Sequence, residues 1–144
     1  MGFEDAIEEY HAAAAEFIRG DPERYERLFS HRDDVTLANP FGPPARGWEN
    51  VRATMDRAAT LYADGRILAF ENVATLVTSE LAYIVEIERF EARVGGTEEL
   101  ASLALRTTSV LRPEDSGWKV VHRHADTITT PREAGSIVPS DAVG

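Results

Sequence analysis

The apolar positions in the first 60 or so residues recur with the spacing of helices. Residues 3–19 carry an apolar stripe at three- and four-residue intervals, which predicts an amphipathic helix that ends at Gly20. A short second helix is predicted after Asp21-Pro22, because this pair combines an N-cap residue with a proline at the first helical position. The same spacing from Trp48 to Tyr62 predicts a third helix, which Asp64-Gly65 ends.

The period of the apolar positions changes after Gly65 from about 3.6 residues to about 2, which indicates strands. Four long strands are predicted, near residues 66–77, 80–94, 97–112 and 118–129. Earlier in the chain, residues 35–39 predict a short strand and Pro40 to Pro44 a loop. The element order α-α-β-α-β-β-β-β predicts an α+β fold, with three N-terminal helices packed on one face of a curved, mostly antiparallel sheet.

Length and composition narrow the class of protein. A chain of 144 residues fits one domain, so we expect residues 1–130 to form it and residues 131–144 to be a flexible C-terminal tail or a dimer arm. The absence of cysteine excludes disulfides and thiolate chemistry. The net charge of −10 has the wrong sign for a nucleic-acid partner or an anionic membrane. With no secretory signal or membrane-spanning stretch, the expected location is cytoplasmic.

Three of the predicted strands each carry ionisable groups on one face, because side chains alternate along a strand. These groups are His122, His124 and Asp126 on the last strand, Arg106 with Thr108 on the strand before it, and Glu86 with Glu88 on the strand before that. Histidine titrates near neutral pH, so His122 or His124 is a candidate catalytic acid or base. Asp126 or Glu88 would orient the imidazole. Arg106 or Arg123 would stabilise an enolate.

The same charges have a structural interpretation. They would form an ion-pair network on a face that contacts water or a second subunit, and the sequence leaves both interpretations open. His122 and His124 with a nearby acid are a weak metal motif, and no further ligand spacing supports it, so we expect no metal and no cofactor. Three aromatic residues, Phe41, Trp48 and Tyr83, are expected to shape an apolar pocket.

Several local strings, taken in order, resemble a known superfamily. They are Arg19-Gly20-Asp21, Asp34-Val35-Thr36 leading to Asn39-Pro40, Gly47-Trp48, and the strand from Gly117 to His124. Together they resemble the SnoaL-like, nuclear transport factor 2-like proteins, the superfamily of ketosteroid isomerase and scytalone dehydratase, over roughly residues 5–130. The resemblance implies a cone-shaped barrel with its mouth between helices and sheet, a small apolar organic ligand, and homodimers that pack their outer sheet faces together.

The catalytic residues of ketosteroid isomerase do not carry over by this resemblance. Its general-base aspartate precedes a proline and falls at Asn39, whose amide cannot accept a proton at neutral pH. Its oxyanion tyrosine falls at Ala13, and its protonated aspartate falls near Ser109 or Val110. Asn39 and Ser109 are therefore expected to line the pocket without supplying that chemistry.

The last strand also resembles the association domain of the calcium/calmodulin-dependent kinase, a non-catalytic oligomerising relative. The arginines of that pocket fall at Ser109 and Ala125, so its anion site is not reproduced. By analogy with the family, Val121, Arg123, Ala125 and Ser109 point into the cone, which puts His122 and His124 on the outer, dimer-forming face. A bulge in the curved strand would reverse this locally, so both sets stay candidates.

Two functions are therefore expected from the sequence. One is a cofactor-free isomerase, dehydratase or cyclase that applies histidine–carboxylate acid–base chemistry to an apolar substrate. The alternative is a non-catalytic ligand-binding or oligomerisation module of the same fold.

Overall fold

Three helices and a six-stranded sheet form the two layers of the structure, a computed structural model that describes residues 2–140. The helices are α1 (Phe3–Phe17), α2 (Glu23–Leu28) and α3 (Trp48–Ala59). The strands are β1 (Thr36–Ala38), β2 (Ala45–Arg46), β3 (Tyr62–Val77), β4 (Ala82–Val94), β5 (Ala101–Glu114) and β6 (Gly117–Asp126). A 3₁₀ turn, Ala134–Ile137, follows the last strand.

The strands lie in the order β2-β1-β6-β5-β4-β3. β3 to β6 form an antiparallel meander, whereas β1 pairs parallel to β6, with Leu37 opposite Arg123. The edge strands β2 and β3 do not pair with each other, so the sheet is mixed and open. The predicted α+β class is confirmed. The predicted order lacked β2, because a strand of two residues is too short to show a period.

The predicted end of the third helix is wrong. Helix α3 ends at Ala59, and Tyr62 to Gly65 belong to the start of β3. Gly65 does not terminate a helix here: it lies where β3 crosses the end of α1, and a Cβ at this position would meet the carbonyl oxygen and Cγ1 of Ile18. A glycine that permits close approach of two elements looks, in a sequence, like a glycine that ends a helix.

A bulge in β6 determines which side chains face the helices. Val110 of β5 lies opposite His122 and Leu111 lies opposite Val120, so Val121 is the extra residue of the bulge. Val120 and Arg123 are consequently both buried under the helices, although their positions differ in parity. We call the side of the sheet that is covered by the helices the inner face. It also carries Glu86, Glu88, Thr107, Ser109 and Ala125.

Edge strand β3 is irregular along its length. Its pairing with β4 shifts register at three points, between Ala63 and Arg66, between Ile67 and Ala69, and between Asn72 and Ala74. Two of the residues skipped by these shifts are large and exposed, Leu68 at 50% and Val73 at 62%. The edge of the sheet is therefore interrupted at each bulge.

The residues after β6 make few contacts. All of residues 131–140 are exposed, including Ile137 and Val138. The predicted tail or arm spans residues 131–144, and its last four residues lie outside the described residues, so the choice between tail and arm stays a prediction. Within residues 2–140, no helix is both long enough and apolar enough to span a membrane.

Replacing Gly65 with alanine should destabilise the fold by about 1–3 kcal/mol, because the new methyl group overlaps Ile18 and either β3 or α1 must shift. Chemical denaturation of the variant measures this loss. Gly42→Ala is the matched control, since a Cβ there meets no atom within 4 Å. Equal stability of the two variants would contradict the role assigned to Gly65.

Candidate functional site

An apolar cavity of about 40 Å³ lies between the helices and the inner face of the sheet. Most of its walls are aliphatic or aromatic, and the polar groups come from a few residues only. The lining is Ala14, Phe17, Ile18, Tyr25, Phe29, Leu37, Asn39, Pro40, Phe41, Met55, Ala58, Tyr62, Ile67, Glu88, Phe90, Leu105, Arg123 and Ala125. This volume is well below the roughly 150 Å³ of an apolar cavity that holds benzene. A ring-sized occupant therefore requires a change in the walls.

A buried ion pair forms the polar end of the cavity. Arg123 of β6 donates to both carboxylate oxygens of Glu88 of β4, at 2.9 and 3.0 Å, and the two side chains are only 10% and 4% exposed. Burial alone would lower the pKa of Arg123, but the Glu88 carboxylate outweighs it and holds that pKa well above its ordinary value. The pair is thus charged on both sides and electrically balanced.

Tyr10 and Ser109 complete the hydrogen bonding around Arg123. The Tyr10 hydroxyl accepts a hydrogen bond from the guanidinium and shares another with the Ser109 hydroxyl. Burial raises the pKa of Tyr10 to about 12, so the phenol keeps its proton at neutral pH. Ser109, expected as a pocket-lining residue, lies on the inner face but behind Tyr10, outside the lining of the cavity.

Tyr25 of α2 differs from Tyr10 in its hydrogen bonding. Its ring lies 5.6 Å from the Arg123 guanidinium carbon, and burial raises its pKa well above the ordinary value. Its hydroxyl oxygen is buried and has no well-formed hydrogen bond within residues 2–140, although the Tyr10 hydroxyl lies close enough to contribute to the raised pKa. An unsatisfied buried hydroxyl costs about 1–3 kcal/mol. Because Tyr25 also lines the cavity, its hydroxyl is a candidate donor to the oxygen of a ligand.

Asn39 and Phe41 lie at the mouth of the cavity, in the loop between β1 and β2. The Asn39 side chain accepts a hydrogen bond from the Phe41 backbone N–H at 3.0 Å, which fixes the turn. The Phe41 ring meets the Tyr62 ring edge-on, with centroids 5.6 Å apart, and is 43% exposed. Phe41 therefore covers the cavity on the solvent side.

The histidines of β6 lie on the opposite, outer face of the sheet. There Asp126 accepts hydrogen bonds from Arg106 and is 2.9 Å from His124 Nε2. His122 Nδ1 pairs with the Thr36 hydroxyl at 2.7 Å, and burial lowers its pKa. The sequence hypothesis combined these groups with Glu88, but the sheet separates them. Glu88 cannot orient either histidine, and neither histidine lines the cavity.

Trp48 and Tyr83, both expected to shape the pocket, lie away from it. Trp48 begins α3 and stacks on His31 with a centroid distance of 3.8 Å, outside the cavity. Tyr83 lies opposite Val110, on the outer face of β4. Both expectations depended on where the aromatic side chain packs in the folded protein, which the local sequence pattern does not specify.

Sequence reasoning missed the tyrosines that surround the ion pair, Tyr10, Tyr25 and Tyr62. Each tyrosine falls at a position predicted to be apolar, one in each of the three predicted helices. The signal that could have identified them is the polar hydroxyl that each brings to such a position. Burial raises the pKa of Tyr62 to about 12, as it does for Tyr10.

His11, also missed, compensates a second buried carboxylate. Its Nε2 lies 2.9 and 3.0 Å from the oxygens of Glu86, and its ring stacks on Phe70 at 3.9 Å. Neither His11 nor Glu86 lines the cavity. In the described range 2–140, no three His, Asp or Glu side chains are grouped to hold a metal ion.

The sequence and the structure were compared with those of known proteins. The family model of the SnoaL-like domain matches residues 4–129 of this chain. No curated protein matches the sequence significantly. Three solved structures from Thiobacillus denitrificans, Streptomyces avermitilis and Erwinia carotovora are similar, at TM-scores of 0.72, 0.71 and 0.71 and identities of 20%, 20% and 19%. Each comparison covers 88% of this chain and 95%, 96% and 94% of the other.

These three structures carry different descriptions. The first is proposed to be a calcium/calmodulin-dependent protein kinase type II association domain, the second to be a dehydratase of the nuclear transport factor 2-like family, and the third is a ketosteroid isomerase-like protein. At such identities the likeness shows the fold alone.

The two buried tyrosines beside Arg123 should respond differently to loss of the hydroxyl. Tyr10→Phe removes bonds to Arg123 and Ser109 and should destabilise the protein by about 1–3 kcal/mol. Tyr25→Phe removes a hydroxyl without a partner, so it should be neutral or stabilising. Thermal or urea unfolding of the ligand-free variants makes the comparison. A loss in Tyr25→Phe as large as that in Tyr10→Phe would mean that the Tyr25 hydroxyl is bonded.

Proposed function

Because the chain belongs to the SnoaL-like domain family, we propose that it binds a small, mostly apolar organic molecule in the cavity between helices and sheet. The observation that carries this proposal is the buried Tyr25 hydroxyl, which has no well-formed hydrogen bond and belongs to a residue that lines a mostly apolar cavity. A few placed polar groups in an apolar pocket are typical of small-molecule sites.

The polar end of the cavity favours a neutral oxygen. Arg123 is already balanced by Glu88, so a ligand carboxylate would have to compete with Glu88 for the guanidinium. Tyr25 donates a hydrogen bond without adding charge. A carbonyl or hydroxyl oxygen matches both conditions.

Binding of such a molecule requires movement at the mouth. The cavity volume of about 40 Å³ is smaller than a six-membered ring needs, and Phe41 stands between the cavity and solvent. Phe41 is already partly exposed in a loop that contains Pro40 and Gly42, so its ring is the wall that a ligand displaces.

A cofactor-free isomerase, dehydratase or cyclase is the second candidate function. Glu88 supports it, because this carboxylate lines the same cavity as the Tyr25 donor and could accept a proton from a bound carbonyl compound. Both of its oxygens, however, are held by Arg123. The residues first expected to act as acid or base, His122 or His124, lie on the other face of the sheet. We therefore rank ligand binding ahead of proton transfer.

We also propose that two copies of the chain associate through the outer face of the sheet. This face carries an apolar patch that no described residue covers, formed by Leu76, Tyr83, Val85, Ile87 and Val110. His122, His124, Arg106 and Asp126 lie beside the patch, where the ion-pair interpretation of these residues would place them between subunits.

Cyclohexanone, cyclohexanol and methylcyclohexane form a matched series for the binding proposal. The ketone and the alcohol should bind about 3- to 10-fold more tightly than the hydrocarbon, because each accepts a hydrogen bond from Tyr25. Tyr25→Phe should remove this preference and leave hydrocarbon binding unchanged. NMR titration of signals from the cavity wall measures the three affinities. Absence of binding by all three compounds would refute the proposal.

The same complexes separate binding from catalysis. If Glu88 transfers protons, the α-hydrogens of bound cyclohexanone exchange in deuterated water faster with wild type than with Glu88→Gln. Equal exchange, with binding intact, leaves a ligand-binding protein and excludes the second candidate for this substrate.

An arginine in the apolar patch should break the proposed dimer. Ile87→Arg places a second positive charge beside Val85 and opposite Arg106, within the proposed interface, and should give a monomer in sedimentation velocity experiments. Leu100→Arg is the control, since Leu100 is 52% exposed in the β4–β5 connection, away from the patch. A wild-type protein that sediments as a monomer at every concentration would overturn the assignment.

A further inference from the structure

We infer that the ligand carries a negative charge at the end nearest solvent, so that the cavity and its mouth together select an amphipathic organic anion. This inference rests on the proposed function and adds to it the charge and orientation of the ligand.

A second, larger cavity adjoins the first at its mouth. This outer groove, of about 670 Å³, lies between the β1–β2 loop and helix α3. Asn39, Phe41 and Ala58 line both the groove and the inner cavity, so the two spaces are separated by little more than these side chains. Displacement of the Phe41 ring would join them. A ligand too long for the inner cavity would then extend into the groove.

The groove has an unusual charge for this protein. Its lining includes Arg46 and Arg57 and no aspartate or glutamate, although the chain has 25 acidic residues against 15 basic ones. Neither arginine forms an ion pair with any described residue, whereas Arg123, Arg112 and Arg106 all do. Arg57 Nη2 instead donates to Thr54 Oγ1 at 3.3 Å, a residue that also lines the groove.

Two uncompensated guanidinium groups in a concave space favour an anion. Arginine donates in a planar fork that matches a carboxylate or a phosphate, and local positive charge in an acidic protein attracts anions to this position. The amides of Asn39 and Asn50 are uncharged and can donate hydrogen bonds as well, whereas the Thr60 hydroxyl already donates to the Arg57 carbonyl at 2.6 Å.

The two ends of the combined site therefore differ in charge. At the inner end Arg123 is neutralised by Glu88, and the free donor is the Tyr25 hydroxyl, which suits a neutral oxygen. At the outer end Arg46 and Arg57 have no counter-charge within the described residues. A molecule with an apolar body and one terminal carboxylate or phosphate thus has a single favourable orientation, its anion in the groove.

Three ligands with the same apolar body test this inference: 4-phenyl-1-butanol, 4-phenylbutyrate and 4-phenylbutyl phosphate. At low ionic strength at least one of the two anions should bind wild type about 10-fold more tightly than the alcohol, and salt should reduce the difference. Arg46→Gln and Arg57→Gln should each weaken anion binding and leave the affinity for the alcohol unchanged. The stronger of the two anions identifies the headgroup. Isothermal titration calorimetry measures all three affinities.

Arg52→Gln is the matched control for Arg57→Gln, because each variant removes one positive charge from helix α3. Its guanidinium lies against Glu26, at 3.3 Å, and not in the groove, so anion binding should not change. Equal affinity for the alcohol and both anions, or an equal effect of Arg52→Gln, would overturn the inference while leaving the proposed function intact. Binding of none of the three ligands would overturn the inference, and the cyclohexanone series would then decide whether the proposed function stands.

Discussion

The buried ion pair between Arg123 and Glu88 is the interaction on which the interior of the cone depends. It connects β6 to β4 across β5, and two charges so far from water are tolerated only when their hydrogen bonds are satisfied. That requirement brings Tyr10 from α1 and the ring of Tyr25 from α2 against the guanidinium. One pair of charges thus sets how both N-terminal helices lie on the sheet. It also gives the cavity a polar end without a net charge.

Sequence patterns predicted the layers of this fold better than its interior. The change from a helical to an alternating period predicted three helices followed by four long strands, and it placed Glu88 opposite in direction to Tyr83 and Ile87. The alternating pattern could not show which side chains of β6 lie on the same face as Glu88 of β4. The extra residue Val121 reverses the alternation, so residues before and after it that share a face differ in parity. Tyr25 was visible as a core residue, but its missing partner is a property of the tertiary structure.

The resemblance at the mouth illustrates how one position can change its role within a fold. By the sequence resemblance, Asn39 falls where ketosteroid isomerase has its base, and in this structure its side chain holds the Phe41 turn through a backbone hydrogen bond. The position still governs access to the cavity. The carboxylate that lines the cavity is instead Glu88, at the polar end beside Arg123.

The irregular edge strand β3 has a consequence for how the protein behaves at high concentration. A straight, apolar edge would offer unpaired backbone groups to the edge of another molecule, and such pairing repeats without limit. The bulges at Leu68 and Val73 interrupt the row of backbone donors and acceptors every few residues, so no long ladder can form there. The chain can therefore keep large apolar side chains on its rim and still resist growth into fibres. Straightening β3 by deleting a bulge residue would remove that protection.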